Sequence, residues 1–496
     1  MNNIRVTYSG LISFGSNLIS VVTGLFFILI ITRTLSPEEF GTWSLISGLL
    51  AYAVIISPIV CFWIIRETAR NDNSGKTGLI TNSLFSILGV SIYLVISYIV
   101  GLNSDVNPST ILFGAILIPV IFIYEVLTSI VRGWKPHALN YGFLTFEISK
   151  VLMALVFIYY IGSGVEGAIL ATFLAYVPAN IFLLFYALPQ IQGTFHFKFI
   201  KKWLKLSWVP VYRKIPSTLI ITDVVVFSLI TGSVSGIAYF TAAKTIAYLV
   251  DHTRSIAQAM YPKLLEGGKT EFLQENLMLF FYLSFPLVSI SIGVSKAGLY
   301  VLNPVYVIAV PAVLFLSLQS FFISLNSNFF LALQGIDKVD LDSKSKFKDY
   351  LKSKITLLPT FQLIRSGIYF SSLAVIFSLT LDSSTEIELI TFWTLTGLLI
   401  ELPLTGYLVY LVRKEFSVKL CWFSIVKYFS SSMGIFLLLN YLVENHLKLS
   451  ENIFEILPIT VAYVLLAFFI YIISTIIVDS RSRNLLRGIL QEFKKN

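Results

Sequence analysis

The sequence predicts an all-α polytopic membrane protein of fourteen transmembrane helices, with two parallel six-helix lobes around a central cavity and two further helices at the C-terminal end. Three observations predict it. Fourteen long apolar stretches fill the chain, the basic residues between them fall on alternate gaps, and a faint repeat recurs at an offset of 196 residues.

A helix needs roughly 20 apolar residues to cross the hydrocarbon core of a bilayer. Stretches of that size lie near 10 to 32, 40 to 64, 78 to 101, 109 to 131, 143 to 162, 165 to 188 and 207 to 231. Seven more lie near 236 to 260, 272 to 295, 305 to 334, 355 to 380, 386 to 412, 421 to 443 and 453 to 478. The first is too long for a signal-peptide core and no small-residue cleavage site follows it, so it is expected to be retained.

Basic residues set the orientation. The odd-numbered gaps hold only Arg33, Lys296 and Lys448 of the 36 Lys and Arg, whereas the tails and even-numbered gaps hold 26. By the positive-inside rule both termini are cytoplasmic and the protein is a multi-pass protein of the cell membrane. A chain 56% hydrophobic and 13% charged, with mean hydropathy +0.82, has too little polar sequence for a soluble domain of ordinary size. Its net charge of +9 is this anchoring charge, facing anionic lipid headgroups, and calls for no nucleic-acid partner.

Several chemistries are excluded. Cys61 and Cys421 are too far apart in sequence to form a disulfide framework or a metal spacing. The four histidines (137, 196, 252 and 446) are scattered, so no metal or cofactor is expected. No Gly-rich phosphate loop ending in Gly-Lys-Ser/Thr occurs, which leaves gradients or a partner as the energy source.

The repeat brings Trp43 onto Tyr239 and AYAV (51 to 54) onto AYLV (247 to 250). Its offset spans six helices, an even number, as parallel repeats require. The expected lobes are 1–200 and 201–412, with 413–496 holding two additional helices and a basic tail. Three segments pair apolar residues at helical spacing with Lys or Arg: Phe199, Ile200, Trp203 and Leu204 in the lobe linker; Phe347, Tyr350, Leu351 and Ile355; and Leu485, Leu486, Ile489, Leu490 and Phe493. Each reads as a helix in the headgroup plane, either anchoring a loop or coupling lobe movements.

Ionisable groups inside a span are costly, so they pair, face a cavity or mark a transport path. They are Glu125, Glu147, Lys150, Arg213, Lys214, Asp223, Lys244, Asp251, Arg254, Arg365, Glu401 and Lys427. Folding helices seven and eight as a hairpin levels Asp223 with Lys244, a candidate ion pair, and Arg213 and Lys214 with Asp251 and Arg254. Lys244, Tyr248, Asp251, Ser255 and Gln258 form one polar stripe. Arg365 adds positive charge that Glu401 is able to neutralise, and Glu147 with Lys150 is the simple local pair near Glu125. Helix one carries Ser9, Ser13, Ser16, Asn17, Ser20, Thr23 and Gly24, a stripe for close packing or a wet wall. A cavity with excess cations suits an anionic, hydroxyl-rich ligand, and the Arg fork matches phosphate.

TRTLSPEEFGTWSLISGL (32 to 49), the stretch from Asp223 through TGSVSGIAYFTAAKTIAYL to AQAMYPKL (257 to 264), and LNPVYVIAVPAVLFLSLQSFFISLNSNFFLALQG (302 to 335) resemble the polysaccharide flippases. These are the Wzx-like branch of the multidrug/oligosaccharidyl-lipid/polysaccharide exporter superfamily. The resemblance covers nearly the whole chain. It implies two six-helix lobes forming a V, and alternating access that carries a lipid-linked oligosaccharide, on a polyprenyl or dolichyl phosphate or pyrophosphate, from the cytoplasmic to the outer leaflet. It implies a monomer beside the polymerase or glycosyltransferases of its pathway. Arg33 falls on the family's Arg after helix one and Asp223 on its acidic residue in helix seven, while lobe one lacks the family's Arg deep in helices one and two. Substrate binding is accordingly expected at Arg33, Arg213, Lys214, Lys244, Arg254 and Arg365, and coupling to a cation or proton at Asp223, Asp251, Glu401 and Glu125.

Two other readings are weighed against this one. A drug or cation antiporter of the same superfamily calls for excess acid in the cavity, where lobe two has excess base. A membrane glycosyltransferase or ligase needs catalytic groups at a sizeable aqueous loop, and the short outer gaps offer none, so no enzyme is expected.

Overall fold

The computed structural model describes residues 22–70, 72–221, 223–254, 256, 264, 270–336 and 353–484, and the side chains of all of these except 136, 137, 213, 217 and 355. The described residues are helical with no strand. Among the described residues, eleven helices are long and apolar enough to cross a membrane, or twelve when a pair bent by 45° is counted as one span. The expected stretches 10 to 32 and 236 to 260 run beyond the described residues. Only their portions Val22–Thr34 (α1) and Ser235–Asp251 (α12) are described as helix. The headgroup-plane segments around Phe347 and Leu485, most of the helix-one stripe, and Ser255 and Gln258 lie outside the described residues.

Contacts divide the chain into two units, 1–238 and 239–496. Unit 1 contains α1, α2 (Pro37–Ala53), α3 (Pro58–Ala69), α4 (Gly75–Leu102), α5 (Pro108–Phe113), α6 (Leu117–Trp134), α7 (Pro136–Ala154), α8 (Gly164–Ile191), α9 (Phe197–Lys205), α10 (Trp208–Ile221) and α11 (Asp223–Thr231). Helix α6 is its hub, packing on α3, α4, α7 and α8. Water does not drive helices together inside a bilayer, so close packing at small residues must. A Cβ at Gly78 would meet Ile64, one at Gly89 would meet the Phe122 ring, and one at Gly142 would meet Leu183. Asn82 Nδ2 donates to the Phe122 carbonyl on α6 at 2.8 Å and to Ser57 Oγ at 3.2 Å, tying α4 to the break before Pro58. The outward faces stay apolar, as at Leu84, Ile87, Leu88 and Val95, which suits lipid rather than water.

Helices α10 and α11 pack on α2, α3 and α4, within unit 1. Two glycines admit them: a Cβ at Gly48 would press on Val224, and one at Gly41 would occupy the place of the Val234 carbonyl. The sequence repeat places a boundary at 200 and 201, whereas the contact boundary falls at 238. Helices α10 and α11 are held by side-chain fit to α2, α3 and α4, which a repeat offset does not register.

Unit 2 contains α12, α13 (Thr270–Gly293), α14 (Ser295–Leu302), α15 (Val310–Gly335), α16 (Lys354–Thr380), α17 (Glu386–Glu415), α18 (Trp422–Asn445) and α19 (Ile453–Val478). Helix α15 lies along α17, and α13 lies along α18. Met278, Tyr282, Ile290 and Val294 of α13 share a core with Ile425, Tyr428, Ile435 and Leu439 of α18 and with Ala467 and Tyr471 of α19. The Tyr471 hydroxyl donates to the Tyr282 carbonyl at 2.6 Å. The last two helices are thus packed into unit 2.

Asp479, just past α19, closes this packing. Its buried carboxylate accepts from Ser424 Oγ and the Tyr428 hydroxyl at 3.0 Å each and from the Ser482 N–H at 3.2 Å, with Lys427 Nζ 3.6 Å away. Burial alone would raise its pKa, but these hydrogen bonds and the Lys427 charge outweigh burial and hold the carboxyl below the usual range. A lowered folded pKa contributes stability that is present above the unfolded value and lost as pH falls through the folded one. The melting-temperature gap between wild type and Asp479→Asn should therefore be constant at neutral pH and shrink only below about pH 4. Thermal unfolding across pH tests this, and a gap that closes near neutrality would refute it.

Candidate functional site

The densest set of charged side chains in described spans lies within unit 2. Helix α12 ends at Asp251 and gives way to a 3₁₀ turn, His252–Arg254, which packs on α13 and α15. Arg254 Nη2 lies 3.5 Å from Asp251 Oδ1, and Ser320 of α15 hydrogen-bonds the same carboxylate. Arg365 of α16 pairs with Glu401 of α17, at 9% and 2% side-chain exposure. Asn326 Nδ2 of α15 donates to the second Glu401 oxygen at 3.1 Å, and the charge of Arg254 also acts on Glu401.

Two buried polar atoms in this cluster, Arg365 Nε and Asn326 Oδ1, have no hydrogen-bond partner among the described residues. Such groups are costly to leave unmade, so they favour a polar ligand or water beside them.

An aromatic stack runs beside the cluster. The Phe240 ring lies flat on Trp393, centroids 3.8 Å apart at 4°, and Trp393 Nε1 donates to the Tyr369 hydroxyl at 2.9 Å. Lys244, one turn after Phe240, holds its ammonium 5.2 Å from that ring. Tyr369 is one turn after Arg365, so the stack fixes the helices that carry both cations. Trp393 itself is fully buried.

The polar groups of unit 1 are arranged differently. Lys150 Nζ binds Glu147 Oε1 at 2.9 Å, the local pair expected from the sequence, and sits 4.8 Å from the Phe27 ring and 5.1 Å from the Phe146 ring. Thr23 adds a hydrogen bond to Glu147 at 3.3 Å. Glu125 is hydrogen-bonded by Ser57 and lies within reach of the Lys214 charge. Asp223 is buried at the start of α11, where its Oδ1 accepts the Val224 N–H at 3.0 Å.

The expected site residues thus fall into two sets. Arg33 at the end of α1, Arg213 and Lys214 on α10, Asp223 and Glu125 belong to unit 1. Lys244, Asp251, Arg254, Arg365 and Glu401 belong to unit 2, where the last four interact. The Arg213 side chain lies outside the described residues. Asp223 and Lys244, levelled by the hairpin estimate, belong to different units. Asn326 and the Phe240–Trp393–Tyr369 stack were not singled out from sequence as a site. Amides at 326 and 328 inside an apolar stretch were the available signal for the first. The stack had none, since aromatic residues are frequent in every span.

No family model matches the sequence, and no curated protein matches it either. Solved structures do match. The chain is similar to the lipid II flippase MurJ in an inward closed conformation, with TM-score 0.68 and 14% identity over 96% of this chain and 100% of that one. It is similar to an inward-facing multidrug resistance MATE family transporter of the MOP superfamily, with TM-score 0.59 and 15% identity over 80% and 95% of the two chains. A MATE structure in the straight conformation matches with TM-score 0.52 and 14% identity over 83% and 95%. The chain therefore shares the all-helical fold of these solved structures.

Proposed function

We propose that this chain is a polysaccharide-type flippase that moves a lipid-linked oligosaccharide from the cytoplasmic to the outer leaflet of the cell membrane. The carrier lipid is a polyprenyl or dolichyl phosphate or pyrophosphate, and both termini are cytoplasmic. The observation that carries this reading is the charge of the unit 2 cluster, where Lys244, Arg254 and Arg365 stand, among the described residues, with the two carboxylates Asp251 and Glu401. Lys244 is exposed and has no ion-pair partner among the described residues. An anion is the ligand class that such an excess attracts, and a carrier of organic cations would favour the opposite sign.

In this mechanism the ligand phosphate meets Lys244 first and then competes with Glu401 for Arg365. The two parallel donors of the Arg fork suit phosphate as well as carboxylate. Glu401, released from Arg365, keeps the Asn326 amide and takes a proton or coupling cation. A ligand shifts a conformational equilibrium only by binding its two states differently, and this exchange of partners supplies such a difference. Transport then follows by alternating access.

The test is mass spectrometry of lipid extracts from cells depleted of the protein, beside the parent. Accumulation of a lipid-linked oligosaccharide is expected and would identify the sugar and the lipid. Unchanged lipids with raised sensitivity to cationic drugs would replace this reading with the antiporter.

A further inference from the structure

The linker helix α9 carries an exposed surface that the proposed transport mechanism does not involve. Eight of its nine residues divide around the helix axis into three sectors at about 100° per residue, and Lys202 lies at their edge. Phe199, Ile200 and Trp203 face the core of unit 1, with Trp203 1% exposed and stacked on Phe199. Next come Leu204 and Phe197, exposed at 50% and 60%. Then come Lys201, Lys205 and Lys198, all exposed and none ion-paired among the described residues.

Glu67 fixes the rotation of the helix. This buried carboxylate at the end of α3 accepts from Trp203 Nε1 at 3.2 Å and from Lys202 Nζ at 2.9 Å. With those two contacts made, the other two sectors must point away from the protein. Water alone does not suit Phe197 and Leu204, and hydrocarbon alone does not suit three lysines. Both are satisfied where acyl chains meet headgroups. Phe195 and Trp208, exposed on either side of the helix, are aromatic anchors of the kind found at that level. Helix α9 packs on α3 and α4, whose adjoining ends add exposed Arg66, Arg70 and Lys76. Charge and apolar surface together identify the partner.

We propose that this face binds anionic phospholipid, with Lys198, Lys201 and Lys205 on the headgroup phosphates and Phe197 and Leu204 among the acyl chains. The site is independent of the transport reading.

The test uses the full chain reconstituted in nanodiscs of mixed phosphatidylglycerol and phosphatidylcholine, with retained lipids identified by native mass spectrometry. Wild type should retain phosphatidylglycerol preferentially. Each lysine near the surface contributes up to about fivefold, so K198S/K201S/K205S should lower the preference by roughly 100-fold at full additivity, with melting temperature unchanged because the Glu67 contacts remain. R413S/K414S/K419S, which removes exposed cations from the end of α17 and the segment after it, should lower the preference far less. Three results would overturn the proposal: no preference in wild type, a wild-type preference in the α9 variant, or equal losses in the two triple variants.

Discussion

Replacing Arg365 by Ala is expected to abolish transport and to cost about 3–5 kcal/mol of stability, the usual consequence of removing one partner from a buried ion pair. The cost arises from what remains. Glu401 stays on α17 at 2% exposure with the Asn326 amide as its nearest uncharged donor, far less than a buried carboxylate needs. Removing both charges should therefore do less harm than removing one. The double variant Arg365→Ala/Glu401→Ala is expected to recover much of the lost melting temperature while remaining inactive, since the phosphate ligand proposed for the site is gone. Thermal unfolding of both variants, read beside accumulation of lipid-linked intermediates, separates the two effects. A single variant as stable as wild type would mean that the pair is not buried as described. An active single variant would remove Arg365 from the proposed phosphate path.

Trp393→Ala is expected to be the most damaging uncharged substitution, at about 3 kcal/mol. That is the lower end for a buried Trp, because in a bilayer the loss is of packing rather than of transfer from water. It opens a cavity against Phe240 and leaves the Tyr369 hydroxyl without its Nε1 donor. The functional effect should exceed the loss of stability, since the stack holds the α12 turn bearing Lys244 and the α16 turn bearing Arg365. Trp393→Phe preserves a stacking ring without the donor and should lose about 1 kcal/mol and part of the activity. Equal activity in the Ala variant and wild type, at equal expression, would show that the stack does not position either cation.

How much of this was legible in the sequence depended on how local the cause was. Lys150 and Glu147 pair across one helical turn, so spacing alone predicted them. Arg365 and Glu401 were recognised as opposite charges on successive helices, and the structure joins them as a pair. Asn326 completes that pair from a helix further back in the chain, a partnership that no spacing rule reaches. Glu67, which no spacing rule singles out, is a buried acceptor for the linker helix, because the Trp203 indole N–H needs a partner once its ring is buried.

The sequence by itself marked the long apolar stretches and the charges set among them, because in hydrocarbon each unsatisfied or ionised group carries its own penalty, residue by residue. The tertiary structure alone decided which charges meet and which helices share a unit. Those outcomes rest on shape: the missing side chains of Gly41 and Gly48 admit the 208–234 region to unit 1, and the flat contact of Phe240 with Trp393 sets the framework for Lys244 and Arg365. Packing of this kind is decided by atoms far apart in the chain, so it enters only when the helices are already side by side.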